Sequence, residues 1–158
     1  MKKIVITGAL GYIGTELCKL YSGFSWKYEV VAIDNRFISE RVNQIRNWNM
    51  EFIQGDILDK SIIEKYFQNA DVVHHLAGVT DVPRVKSDAT QSQDEKIKKV
   101  GEEGTKNILE AISDKCKIIF PSTHVVFEGI DQVKKNIAES MYQVIYFLPF
   151  KMYLSKKV

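Results

Sequence analysis

The sequence predicts an α/β fold in three layers, a parallel sheet of about five strands with helices on both faces. Three observations predict it. The chain begins with a β-branched run, Ile4, Val5 and Ile6, that leads directly into glycines at positions 8, 11 and 14. Apolar, strand-like runs then alternate with helix-like segments at short spacing, which implies parallel strands joined by right-handed crossovers. A second β-branched run, Glu29 to Asp34, ends in an acid about 20 residues after the last glycine.

The elements follow in order. The first strand, near 3–7, is apolar throughout, as a strand buried on both faces should be. Gly8 allows a tight turn, Gly11 lets backbone approach a ligand, and Gly14 lets a helix pack closely on the strand. A helix near 12–22 follows, with Ile13, Leu17, Leu20 and Tyr21 expected as its apolar stripe. Its N-terminus offers free N–H groups and a positive dipole end to an anion. The second strand is near 29–34. The polar stretch Asn35 to Asn49 is expected to be partly helical. A third strand spans Met50 to Gln54, followed by Gly55, Asp56 and Ile57. Asp59 suits a helix N-cap, with Ile62, Ile63, Tyr66 and Phe67 at core spacing behind it. A fourth strand, Asp71 to Ala77, precedes a long helix ending in Lys106 to Ile112, and a fifth strand spans Lys117 to Phe120. This order describes a Rossmann-like sheet that binds a dinucleotide pyrophosphate on its first turn.

Composition sets the outer bounds. At 158 residues the chain forms one domain with a sizeable core. Its net charge is +2 and its lysine pairs are scattered, which argues against a nucleic-acid-binding face. Two cysteines, Cys18 and Cys116, suggest neither a disulfide framework nor a metal site, and a reduced, cytoplasmic setting is expected. His74 and His75 read as strand and turn residues, because no Cys or carboxylate stands at metal-ligand spacing from them. No signal peptide and no membrane-spanning run is expected. From Ser140 to Val158 there is no acid, aromatics crowd in and Pro149 interrupts any helix. The expected organisation is therefore a nucleotide-binding domain over 1–139 and an atypical tail over 140–158.

Several residues have two readings. Asp34 either accepts from the ribose hydroxyls of a dinucleotide, favouring NAD over NADP by repelling a 2′-phosphate, or caps a strand end. Arg36, two residues on, would soften that preference. Asp56 is either a cofactor ligand or a helix N-cap. Ser122 and Thr123 end a strand at the edge where open α/β sheets bind ligands, or satisfy a turn.

Six motifs in order resemble the extended short-chain dehydrogenases/reductases, the NAD-dependent epimerase/dehydratase group, over residues 1 to about 129. They are Thr7 to Gly14, Ile33 to Asn35, Gly55 to Ile57, His75 to Gly78, Gly104 to Ala111, and Ile119 to Phe127. The resemblance implies NAD as cofactor, held by Gly8, Gly11, Tyr12, Ile13, Gly14, Asp34, Asn35, Asp56, Ile57, Leu76, Ala77, Gly78 and Ser122. Asp56 would meet the adenine. Thr123 would hydrogen-bond a sugar hydroxyl, Tyr153 would act as acid and base on it, and Lys157 would lower the Tyr153 pKa and contact the nicotinamide ribose. Thr80 and Arg84 would line the substrate side, and the substrate class would be a nucleotide sugar.

The chain departs from the family pattern in three places. Its only Tyr-x-x-x-Lys, Tyr153 to Lys157, lies at the chain end. Gly101 stands where the family places Asn. Relatives are roughly twice as long, so the chain is expected to be C-terminally truncated, to lack the substrate-binding region, and to carry an altered end over 140–158. Two functions follow: hydride transfer at a sugar hydroxyl, or a cofactor-binding module without catalysis. A third reading is self-association through the apolar tail, Val144 to Leu154.

Overall fold

The computed structural model describes residues 1–79 and 91–121, and residues 1–121 form one compact unit. Strand β1 spans Lys2–Thr7, helix α1 Tyr12–Ser22, β2 Tyr28–Asp34, α2 Ser39–Asn47, β3 Glu51–Gln54, α3 Lys60–Phe67 and β4 Val72–His75. Helix α4 spans Gln91–Lys98 and runs through a π-helical segment, Lys99–Gly104, into α5, Thr105–Ala111. Strand β5 is Lys117–Ile119.

The five strands form one sheet in the order β3-β2-β1-β4-β5, and every pairing is parallel. β1 lies at the centre, with Ile4 opposite Val30 on one side and Val72 on the other. Side chains alternate across it. Ile4, Ile6, Val30 and Ala32 face Cys18 of α1 and Val42 and Ile45 of α2. Val5, Val31, Ile33 and Val73 face Ile63 and Phe67 of α3 and Ile108 of α5. The chain thus keeps to one face of the sheet while it moves from β1 to β3, and crosses to the other on leaving β3, so that α3 and α5 both pack there. This produces the three-layer Rossmann-like fold, and it explains why the central strand carries no polar side chain between Lys3 and Thr7. Fully burying a side chain such as Phe67 contributes roughly 1.5–3 kcal/mol.

The sequence expectations hold for element order and differ in detail. Asp59 caps α3, its carboxylate accepting from the Ser61 N–H at 2.9 Å. Those Ser61 hydrogen bonds hold its carboxyl below the usual range. β4 is shorter than expected and ends at His75, because Leu76 and Ala77 turn their amides to the Thr7 side chain. The long helix before β5 is interrupted by the π-helical segment. The stripe of α1 is also rotated from the expected one. Its buried positions are Gly14 and Cys18, with Leu17 and Tyr21 packed beside them, whereas Ile13 and Leu20 are 58% and 61% exposed. The helix lies so close to the sheet that only small side chains fit between them. Residue 139, the expected end of the first domain, lies outside the described residues.

Two glycine substitutions separate packing from propensity. A Cβ on Gly14 would lie 2.3 Å from the Gly8 carbonyl oxygen and 2.7 Å from Ala9 Cα, whereas one on Gly101, in the π-helical segment, meets nothing within 4 Å. In urea denaturation, Gly14→Ala is expected to lower stability by about 1–3 kcal/mol. Gly101→Ala is expected to raise it by about 0.5–1 kcal/mol.

Candidate functional site at the strand ends

Strand order reverses between β1 and β4, and in open α/β sheets the crevice beyond that reversal receives the ligand. Here the crevice is bounded by the β1–α1 turn and the chain leaving β4. Gly8 has a φ of +67°, and a Cβ on it would come within 2.8 Å of the Leu76 carbonyl group, so the two segments touch through backbone. The Gly11 N–H closes the turn onto the Gly8 carbonyl at 2.9 Å. Gly11 is the N-cap of α1 and provides no side-chain cap, and the first turn has no acid. The first helical amides therefore keep their capacity to bind an anion. A Cβ on Gly11 would press on the Gly8 carbonyl oxygen at 3.0 Å, whereas one on Gly78 would meet none of the described residues within 4 Å.

The carboxylate of Asp34, at the end of β2, is buried. Its Oδ2 accepts from the Leu10 N–H at 2.9 Å, which ties the glycine turn to β2. Its Oδ1 accepts from the Arg36 N–H at 3.0 Å and pairs with Arg36 Nε at 3.2 Å. The carboxylate thus fastens the end of β2 to the glycine turn. Asn35 Nδ2 donates to Asp56 Oδ2 at 3.2 Å, while Asp56 Oδ1 accepts from the Leu58 N–H. Asp56 shapes the turn after β3, and the N-cap role belongs to Asp59. The Ile57 side chain points into the core, and its carbonyl accepts from Asn107 Nδ2 at 3.1 Å. Gly104 makes room for Ile57, whose Cδ1 would lie 2.4 Å from a Cβ there.

A chain of polar groups, buried at Thr7 and His75 and exposed by the time it reaches Gly101, links β1, β4 and the start of α5. Thr7 Oγ1 accepts from the amides of Leu76 and Ala77, each at 3.1 Å. Both of its acceptor positions are then in use, so its hydroxyl proton goes to His75 Nδ1 at 2.9 Å. With Nδ1 accepting, neutral His75 carries its proton on Nε2 and donates to Thr105 Oγ1 at 3.0 Å. Thr105 donates in turn to the Gly101 carbonyl at 2.6 Å. Burial pushes the His75 pKa down to about 4, which keeps the ring neutral. His74 points to the opposite face, where its Nε2 meets the Tyr21 hydroxyl at 2.8 Å.

The structure thus sets the glycine turn against Asp34 on one side and against Leu76 and Ala77 on the other, and joins Asn35 to Asp56, while Tyr12 and Ile13 are exposed on α1 and the Ile57 side chain lies in the core. Thr80, Arg84, Ser122, Thr123, Tyr153 and Lys157 lie outside the described residues. Sequence reasoning missed what Thr7, Thr105 and Asn107 do, although all three lie within recognised motifs. Polar residues spaced among buried apolar ones were the available signal. Among the described residues, no three His, Cys, Asp or Glu side chains gather as a metal site, and no helix is long and apolar enough to cross a membrane.

Comparison with known proteins agrees with this geometry. The profile of the 3-beta hydroxysteroid dehydrogenase/isomerase family matches residues 5–157, a span that includes nearly all of 140–158. The chain is 32% identical to CDP-paratose 2-epimerase of Salmonella typhi over 155 residues, which are 90% of this chain and 43% of that protein. It is 28% identical to UDP-glucuronic acid 4-epimerase from Bacillus cereus, solved with UDP-glucuronic acid and NAD. That match has a TM-score of 0.66 and covers 87% of this chain and 44% of the other. The fold is shared with UDP-glucose-4-epimerase from Stenotrophomonas maltophila, at a TM-score of 0.68 and 23% identity, covering 89% and 42% of the two chains. The chain spans less than half the length of each of these proteins.

The polar chain yields two expectations. Thr7→Val leaves two amides and a ring nitrogen without their partner, and should cost at least about 2 kcal/mol in chemical denaturation. The folded pKa of His75, about 4, lies below its unfolded value of 6.5. Its contribution to stability is therefore present above pH 6.5 and is lost as pH falls from there to about 4, amounting to on the order of 3 kcal/mol. An NMR titration of the ring should show an Nε2–H tautomer that does not titrate between about pH 7 and 5.

Proposed function

The chain belongs to the 3-beta hydroxysteroid dehydrogenase/isomerase family, among the extended short-chain dehydrogenases/reductases, and we propose that it is the NAD-binding part of a nucleotide-sugar epimerase, dehydratase or reductase. The observation that carries this reading is the uncapped N-terminus of α1. It opens at the point where strand order reverses, between glycines that leave the backbone bare. The residues present fit a dinucleotide. The amides of Tyr12, Ile13 and Gly14 would take the pyrophosphate. Asp34 would take the adenosine ribose, and Asn35 and Asp56 would border the adenine. Leu76, Ala77 and Gly78 would line the passage towards the nicotinamide.

NAD supplies a hydride acceptor for a sugar alcohol. In this proposal Thr123 holds the substrate hydroxyl, with Ser122 next to it on the cofactor, Tyr153 removes the hydroxyl proton, and Lys157 holds the Tyr153 phenolate and the nicotinamide ribose. Thr80 and Arg84 would contact the substrate. The relatives' printed substrates, CDP-paratose and UDP-glucuronic acid among them, support the nucleotide-sugar class. Two cysteines without a disulfide, Cys18 and Cys116, are in keeping with a cytoplasmic setting. Self-association through Val144 to Leu154 belongs to the same proposal, and size-exclusion chromatography reads it directly.

Calorimetry with NAD, followed by a hydride-transfer assay with UDP- and CDP-sugars, tests the reading. NAD should bind, and Asp34→Ala should weaken it by about tenfold. Tyr153→Phe should retain binding and abolish turnover. Binding without any turnover, indifferent to Tyr153→Phe, would make the chain a cofactor-binding module without catalysis. Failure to bind NAD would overturn the proposal.

A further inference from the structure

At the end of the sheet opposite the crevice, the turn from α1 into β2 gathers large apolar side chains in solvent. Leu20, in the last turn of α1, is 61% exposed, Phe24 45% and Trp26 74%. The Lys2 N–H donates to the Lys27 carbonyl at 3.0 Å, which brings exposed Met1 to the same edge. Single exposed apolar residues are ordinary, whereas a cluster of large ones marks a contact surface. The turn itself is firmly held. The amides of Phe24, Lys27 and Tyr28 donate to the carbonyls of Tyr21 and, twice, of Phe24, at 2.9–3.1 Å. The rings of Tyr21 and Phe24 meet Tyr28 edge-on. These backbone donors are therefore satisfied inside the turn, as a segment entering a poorly hydrated layer requires.

The charge around the cluster is positive. From Leu17 to Tyr28 there is no acid. Lys19 and Lys27 are exposed within that span, and the Lys27 Nζ stands 5.2 Å from the centre of the Tyr28 ring. Strand alternation puts exposed Lys2 on the α1 face with Ile4 and Ile6. The nearby acids lie elsewhere. Glu16 is one turn further up α1, and Glu29 shares the opposite face of the sheet with Val31 and Ile33. Asp71 accepts from the Lys3 N–H at 2.7 Å.

We propose that the Gly23–Lys27 turn, with Leu20, Lys19 and Lys2, docks the protein peripherally on an anionic lipid surface. Trp26 and Phe24 enter the boundary between headgroups and acyl chains, and the lysines meet the lipid phosphates. The crevice, at the other end of the strands, then faces away from the lipid and stays open to soluble ligands.

The test is sedimentation of the full chain with vesicles of phosphatidylcholine, alone and mixed with phosphatidylserine. The chain should sediment with the mixed vesicles, and added salt should release it. Trp26→Ser, and Lys19→Glu combined with Lys27→Glu, should each weaken that partition by about tenfold or more. Neither should change NAD affinity. Lipid brominated in its acyl chains should quench the tryptophan fluorescence of the wild-type chain, and Trp26→Phe should remove that quenching. No partition onto mixed vesicles at low salt, or no quenching, would overturn the inference. Partition that neither variant weakens would place the contact elsewhere in the chain and overturn it too. If vesicles carry down nothing and Trp26→Ser turns a dimer into a monomer in size-exclusion chromatography, the patch joins two copies and the inference falls. The dinucleotide reading stands or falls separately, on the NAD titration.

Discussion

The Thr7 hydroxyl is the interaction on which the rest of the site depends. It lies at the end of the central strand, fully buried, and gathers the amides of Leu76 and Ala77 with the ring of His75. A hydroxyl has one proton and two acceptor positions, and all three are used here. That saturation fixes the direction of every later bond in the chain, through the His75 Nε2–H to Thr105 and Gly101. The glycine turn, the exit from β4 and the start of α5 are thereby registered to one another by hydrogen bonds as well as by apolar packing. In a low-dielectric interior such a network is strong only while it is complete.

The three glycines share a spacing but answer to different constraints. Gly8 and Gly14 are required by contacts inside the protein, where any Cβ would collide with backbone atoms of Leu76 or of Gly8 and Ala9. A Cβ on Gly11 would press only on the Gly8 carbonyl oxygen, at 3.0 Å, a looser fit than at the other two, and beyond the motif Gly78 has room around it. The motif therefore combines a packing rule and an access rule, and a substitution at each position should fail for its own reason.

Much of this was legible in the sequence, because the determinants are local or periodic. The β-branched runs at Ile4 and Val30, the Asp59 cap and the glycine spacing each depend on a few adjacent residues. Asp34 was legible only as a choice between two roles, since its partners Leu10 and Arg36 become visible once β1 and β2 are side by side. The α1 stripe was misread at Ile13 and Leu20. Hydropathy spacing cannot show that close approach to the sheet reserves the inner face for Gly14 and Cys18. The Thr7–His75–Thr105 chain was not legible, because its members are far apart along the chain and its logic lies in donor and acceptor counts.

That separation has a consequence for how the site comes into being. Thr7 and His75 are 68 residues apart, and β1 also pairs with β4 across that distance. Closing so long a loop costs entropy before any contact rewards it. During synthesis, the first strand and its glycine turn emerge long before the segment that completes them. The glycine turn, made well before β4, is then among the last parts of the sheet to reach its final hydrogen-bonding state, and until β4 docks the Thr7 hydroxyl lacks its partners His75, Leu76 and Ala77. Folding of the crevice should therefore track the docking of β4, with the β1–β2 pair formed ahead of it.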